Sequence, residues 1–160
     1  MAAVVRGNCL GGGMELAAFC NWIFASQDAK FGQPEIALGV FAPVASVILP
    51  FRIGQSAADH LLLGGHLVDA EEAEAMGLIT SVSEAPDEDF NAFVKEYIVP
   101  KSAVGLSYAV RAARTEMYSS FKKNITQLET MYLSELMKTQ DANEGIQAFI
   151  EKREPKWQNK

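Results

Sequence analysis

Leu10-Gly-Gly-Gly-Met-Glu15 decides how this 160-residue chain is read. Three consecutive glycines lead into a helical run, Met14-Glu-Leu-Ala-Ala-Phe-Cys20, and leave backbone N–H groups that no Cβ shields. A helix start of this kind suits an anion or a developing oxyanion. The run is not a Walker loop, because no Gly-Lys-Ser/Thr follows, and it is not Gly-x-Gly-x-x-Gly. A tight strand-to-helix turn needs the same glycines, so both readings stand at this level.

The flanking sequence is strand-like. Ala2 to Val5 is predicted as a short buried strand, Gly7 to Gly13 as a turn, and Trp22 to Ala25 as a second strand closed by Ser26-Gln-Asp-Ala29. The β-rich portion is expected to end near Phe31, where Gly32-Gln-Pro-Glu35 marks another turn. From Val44 onward the pattern is helical. Asp69-Ala-Glu-Glu72 has the spacing of a capping box, and its helix is expected to stop at Gly77. Leu78 to Val82 reads as a short strand, and Pro86-Asp-Glu-Asp89 opens a further helix. Ile125, Leu128, Tyr132, Leu136 and Met137 recur at helical spacing and predict one buried face. Ile146, Phe149 and Ile150 mark a final helix over 143–152. The expected class is α/β, a strand-and-turn layer followed by helices.

Two glutamates stand out. Glu15 lies among Met14, Leu16, Ala17 and Phe19; Glu35 follows Pro34 and precedes Ile36, Ala37 and Leu38. A carboxyl group among apolar neighbours has its neutral form favoured, which suits acid–base work near neutral pH. Simpler readings are a first-turn acid complementing the helix dipole for Glu15 and an exposed turn residue for Glu35. One helix, one strand and one turn separate them, so the chain can double back and bring them together.

Four stretches, taken in order, resemble the enoyl-CoA hydratase/isomerase (crotonase) family. They are Gly7 to Ala17, Ala29-Lys-Phe-Gly-Gln-Pro-Glu-Ile36, Leu63 to Leu78, and Glu144-Gly-Ile-Gln-Ala-Phe-Ile-Glu-Lys-Arg153. The resemblance implies the C-terminal portion of a crotonase-like ββα superhelix over residues 1–82. A helical region that trimerises and covers coenzyme A is implied over 83–160. It implies a lyase acting on an unsaturated acyl-CoA thioester, with coenzyme A entering as part of the substrate and no separate cofactor. By the same resemblance Glu15 and Glu35 position a water and move its proton, and the Gly12 N–H is one oxyanion donor. Phe149 and Lys152 fall where the family meets coenzyme A. A homotrimer or hexamer is implied. Double-bond isomerisation, or acyl-CoA binding without turnover, remains an alternative on the same scaffold.

Two departures from the family pattern matter. Where family hydratases carry Pro-Gly-Ala-Gly-Gly, this chain has Val40-Phe-Ala-Pro-Val-Ala-Ser46. Pro43 aligns with a glycine whose N–H helps hold the catalytic water, and proline has none to give. That text is similar to cyclic dienoyl-CoA hydratases of anaerobic aromatic breakdown. The resemblance also begins partway through the family pattern, so the second oxyanion donor and the adenine-gripping loop are expected from an N-terminal half outside these residues.

Composition narrows the partners. Fourteen basic against twenty acidic residues give a net charge of −6 with no basic run, which argues against a nucleic-acid surface. No apolar stretch is long enough to span a bilayer, and no secretory leader is read, so a cytoplasmic location is expected. Cys9 and Cys20 lack metal-ligand or redox spacing and are expected to be buried free thiols, with no metal site. His60 and His66 have no nucleophile at meaningful spacing. Arg6, Arg52, Arg111 and Arg114 are read as surface residues, the last two on one helix face.

Overall fold

The computed structural model describes residues 1–160. Two strand–strand–helix units are built first. β1 (Ala2–Val5), β2 (Asn8–Leu10) and α1 (Gly12–Phe19) form one. β3 (Trp22–Ser26), β4 (Lys30–Gly32), a 3-10 turn (Pro34–Leu38) and α2 (Pro43–Gly64) form the next. The first strand of each unit pairs in parallel with its counterpart, Val4 opposite Phe24, and the second strands do the same, Cys9 opposite Phe31. Each unit therefore gives one strand to each of two sheets. That is the ββα superhelix the resemblance implied.

The sheets are completed from further along the chain. β5 (Leu67–Asp69) adds antiparallel to β4, and β6 (Ser81–Ser83) adds parallel to β3. Between them, Asp69 and Glu72 form the predicted capping box at the start of α3 (Ala70–Ala75). α2 is two helical pieces that meet at Gly54, whose φ of 77° and ψ of 161° lie outside the helical region. Phe31, Met14, Ile23, Ile48, Leu49, Leu61 and Leu78 fill the space between sheets and helices without solvent exposure. Cys9 and Cys20 are buried free thiols in this core, as read from the sequence.

The remaining helices are α4 (Pro86–Phe93), α5 (Ala103–Ala113), α6 (Thr115–Thr130) and α7 (Gln140–Glu151). π-helical and 3-10 turns carry the chain from α6 to α7 over 131–138. α6 lies on α2, and Phe121 meets Phe19 of α1 edge-on at 5.1 Å between ring centroids.

Three expectations are corrected. Within the predicted turn over Gly7 to Gly13, Asn8–Leu10 is a strand, because its hydrogen-bonding partner β4 lies twenty-two positions further on (Asn8 opposite Lys30). The face of Ile125, Leu128, Tyr132, Leu136 and Met137 is helical but only half-buried. The final helix forms as expected, as α7, which buries Ala142, Gly145 and Ala148 and leaves Phe149 and Ile150 exposed. Small residues face inward there because the helix backbone closes on the Leu38 carbonyl and the Trp157 ring, so closely that a Cβ on Gly145 would collide with both.

The reading of Arg52 and Arg114 as surface residues is the third correction. Arg52 donates to the carbonyls of Cys20 and Asn21 and, through Nε and Nη2, to Leu78 at 3.1 and 3.0 Å. Arg114 leaves the α5 axis and donates to Phe19 and Cys20 at 2.6 and 2.8 Å. Both guanidinium groups satisfy the orphan carbonyls at the C-terminal end of α1, where positive charge also complements the helix dipole.

Candidate active site

Glu15 sits in the first turn of α1 and Glu35 in the first turn of the 3-10 segment that follows β4. β2 and β4 are neighbours in one sheet, and each carboxylate follows its strand by only a few residues, so parallel pairing brings both to the same end. Gly11 lies between. Its φ of 53° and ψ of −127° suit only glycine, and a Cβ built there would stand 2.6 Å from Glu35 Oε1. Glycine is thus required at position 11 on two counts, by backbone conformation and by the approach of Glu35.

The two carboxylates have different surroundings. Glu15 Oε1 accepts the Ala45 N–H at 2.9 Å, which caps the N-terminus of α2 from another helix. No cap comes from Ala42 itself, and Pro43 at the first helical position has no N–H to satisfy. Glu35 Oε2 is buried with no hydrogen-bond partner within the chain. Burial pushes the Glu35 carboxyl above its ordinary range; its own backbone N–H pulls the other way, and the negative charge of Glu15 adds to the rise. One group is held by a helix N-terminus, and its neighbour is biased towards the protonated form.

Gly12 and Gly13 open α1, and Cβ atoms added to them would meet nothing in the chain within 4 Å. Their N–H groups belong to the first helical turn, which has no intrahelical acceptor for them. The structure therefore places Gly12 one residue beyond the glycine that touches Glu35. Phe149 and Lys152 lie at the other end of α7. Phe149 is 67% exposed, and Lys152 closes the helix with a left-handed φ of 54°. α7 itself packs against the 3-10 turn that carries Glu35.

Gln33 was not singled out from sequence, although it lies two residues before Glu35. It is the buried polar side chain of the core, 1% exposed, with Nε2 donating to the Gly11 carbonyl at 3.3 Å. A glutamine inside a turn motif carries no signal of burial, and only the sheet pairing places it there. His60 and His66 stack on each other with ring centroids 5.0 Å apart. Arg111 turns to the Tyr108 ring, 5.3 Å from its centroid, and Arg6 pairs with Asp87.

With this geometry in place, likeness to known proteins becomes informative. The family model for enoyl-CoA hydratase/isomerase matches residues 1–160, and the chain belongs to that family. It is 48% identical over 156 residues to the cyclohexa-1,5-dienecarbonyl-CoA hydratase of Thauera aromatica, covering 98% of this chain and 60% of that protein. It is 37% identical to the probable enoyl-CoA hydratase echA8 of Mycobacterium bovis, covering 97% of this chain and 61% of that one. Among solved structures, the carnitinyl-CoA hydratase from Mycobacterium avium superposes with a TM-score of 0.89 at 30% identity, over 99% of this chain and 62% of that chain. The chain thus spans about three-fifths of the length of these relatives.

Proposed function

We propose that these residues carry the proton-transfer part of a hydratase that adds water to an unsaturated acyl-CoA thioester, a cyclic dienoyl-CoA in particular. The observation that carries the reading is the carboxylate pair across Gly11, one member anchored to the Ala45 N–H and the other buried with an unpaired oxygen. In this mechanism Glu15 is the base: anchored to the Ala45 N–H at the α2 N-terminus, it takes a proton from water as the oxygen bonds to the β-carbon. Glu35, biased towards its protonated form, gives its proton to the α-carbon. Charge that develops on the thioester oxygen meets the Gly12 N–H. A second oxyanion donor is proposed to come from a segment corresponding to the remaining two-fifths of the relatives. The carboxylates move both protons, so no cofactor is required beyond the coenzyme A of the substrate.

The cyclic substrate is supported by two observations. The relative from Thauera aromatica is named for it. Pro43 supplies no N–H at the α2 start, and the Ala45 N–H is already taken by Glu15, so the water is held differently from the glycine-rich arrangement of simple hydratases. Phe149 and Lys152 are proposed to contact coenzyme A. Self-association into a trimer or hexamer is supported by exposed apolar side chains on the C-terminal helices, among them Val104, Leu133, Phe149 and Ile150.

Absorbance of the conjugated thioester follows the reaction directly, with crotonyl-CoA and a cyclic dienoyl-CoA compared. Turnover should favour the cyclic substrate, and Glu15→Gln and Glu35→Gln should each lower it by about 10²–10⁴-fold. Full activity in either variant sinks the two-carboxylate mechanism. Binding of both thioesters with no absorbance change selects the alternative, an acyl-CoA-binding module without turnover.

A further inference from the structure

We infer that Gln33 is a positioning residue that aims the Gly12 N–H by holding the Gly11 carbonyl; the inference rests on the oxyanion role proposed for Gly12. The Gly11 C=O and the Gly12 N–H are opposite ends of one planar peptide unit, so whatever fixes one end orients the other. Gly11 needs such fixing, because glycine in its left-handed conformation resists rotation of the following peptide less than any other residue. Three hydrogen bonds converge on it. Its N–H donates to Gly32 O at 3.0 Å, while its carbonyl accepts the Glu15 N–H at 2.9 Å and the Gln33 Nε2 at 3.3 Å. Donation to a carbonyl also polarises its amide and strengthens the N–H at the far end as a donor.

Stability alone does not explain a glutamine at this place. Its Oε1 is buried with no partner, an arrangement that costs folding free energy. A methionine of similar volume would fill the same space without the orphaned oxygen. What methionine lacks is the donor to Gly11. Gln33 also lies two residues before Glu35 at the start of the same turn, so one segment carries the acid and holds the Gly11 carbonyl beside it.

Gln33→Met and Gln33→Glu test the assignment. In Gln33→Met, the Gly11 carbonyl-carbon and Gly12 amide resonances of the chain should shift together in NMR spectra. The red shift of a bound conjugated acyl-CoA should shrink, and kcat should fall about 10- to 100-fold with KM within about twofold. In Gln33→Glu, only the protonated carboxyl can donate to Gly11, so activity relative to the unaltered protein should recover as pH falls. This pH contrast also serves if Gln33→Met fails to fold. A folded Gln33→Met with unmoved Gly11 and Gly12 resonances, or a Gln33→Glu protein whose relative activity ignores pH, overturns the assignment. If the unaltered protein binds the conjugated thioester with no red shift, the oxyanion role of Gly12 fails instead. The two resonances then still decide whether Gln33 holds the peptide.

Discussion

Nearly all fully buried side chains of the molecule lie between Val5 and Ile79, whereas from Thr80 to Asp141 only Pro86 is fully buried. The first region interleaves two sheets with α1 and α2, and ladders, the Asp69 capping box and the two arginines satisfy much of its backbone within the chain. The second is made of amphipathic helices whose apolar faces are half-covered, with Val104 and Leu133 68% and 67% exposed. The contrast separates two kinds of stability. One region closes its own core around the carboxylates; the other leaves much of its apolar surface uncovered within the chain. α7 belongs to both, burying its small residues against the Glu35 turn and exposing Phe149 and Ile150.

Core truncation should show the contrast at its largest. Phe31→Ala is expected to cost about 3–5 kcal/mol, since the ring has no exposure and its loss leaves a cavity between the sheets. Leu133→Ala should stay within about 0.5 kcal/mol for the isolated chain. Urea denaturation of both reads the difference, and comparable losses would mean that the second region is as closed as the first.

Arg114 ties the two regions together, and its removal should be the next largest effect. Arg114→Met is expected to cost about 1–3 kcal/mol, because it withdraws charge-assisted donors from the Phe19 and Cys20 carbonyls. The Cys20 carbonyl keeps its bond from Arg52, so in a double-mutant cycle with Arg52→Met the double variant should lose more than the sum of the two single losses. Strict additivity would mean that the two guanidinium groups act independently.

The smallest effect is a pH dependence. Burial raises the Glu35 pKa above its ordinary carboxylate value, so the folded state binds this proton more tightly than the unfolded state. The resulting stability is complete below the unfolded pKa of a glutamate and is lost as pH rises through the raised value. Glu35→Gln carries no such proton, so stability relative to Glu35→Gln should decline across that window. A flat difference would place the carboxyl in a water-like environment and remove the asymmetry of the pair.

Much of this is legible in the sequence. The capping box at Asp69, the stop at Gly77, the Pro86 start of α4 and the strands at either side of α1 rest on local rules, because each depends on residues within a turn of one another. The two glutamates were visible for the same reason, as acids with apolar neighbours in sequence. Their unequal environments were not. The bond from the Ala45 N–H to Glu15, the contact of Glu35 with Gly11 and the burial of Gln33 join positions twenty to thirty residues apart through sheet pairing. Periodicity likewise marked Ile146, Phe149 and Ile150 as positions of a final helix, but which face of α7 turns inward came from the backbone approach to Leu38, which admits Ala142, Gly145 and Ala148. The amino-acid sequence by itself determined the elements and the chemical groups, since both are set by neighbouring residues. Only the tertiary structure decided which carboxylate is anchored, which is buried and which peptide is held, since those follow from packing between distant segments.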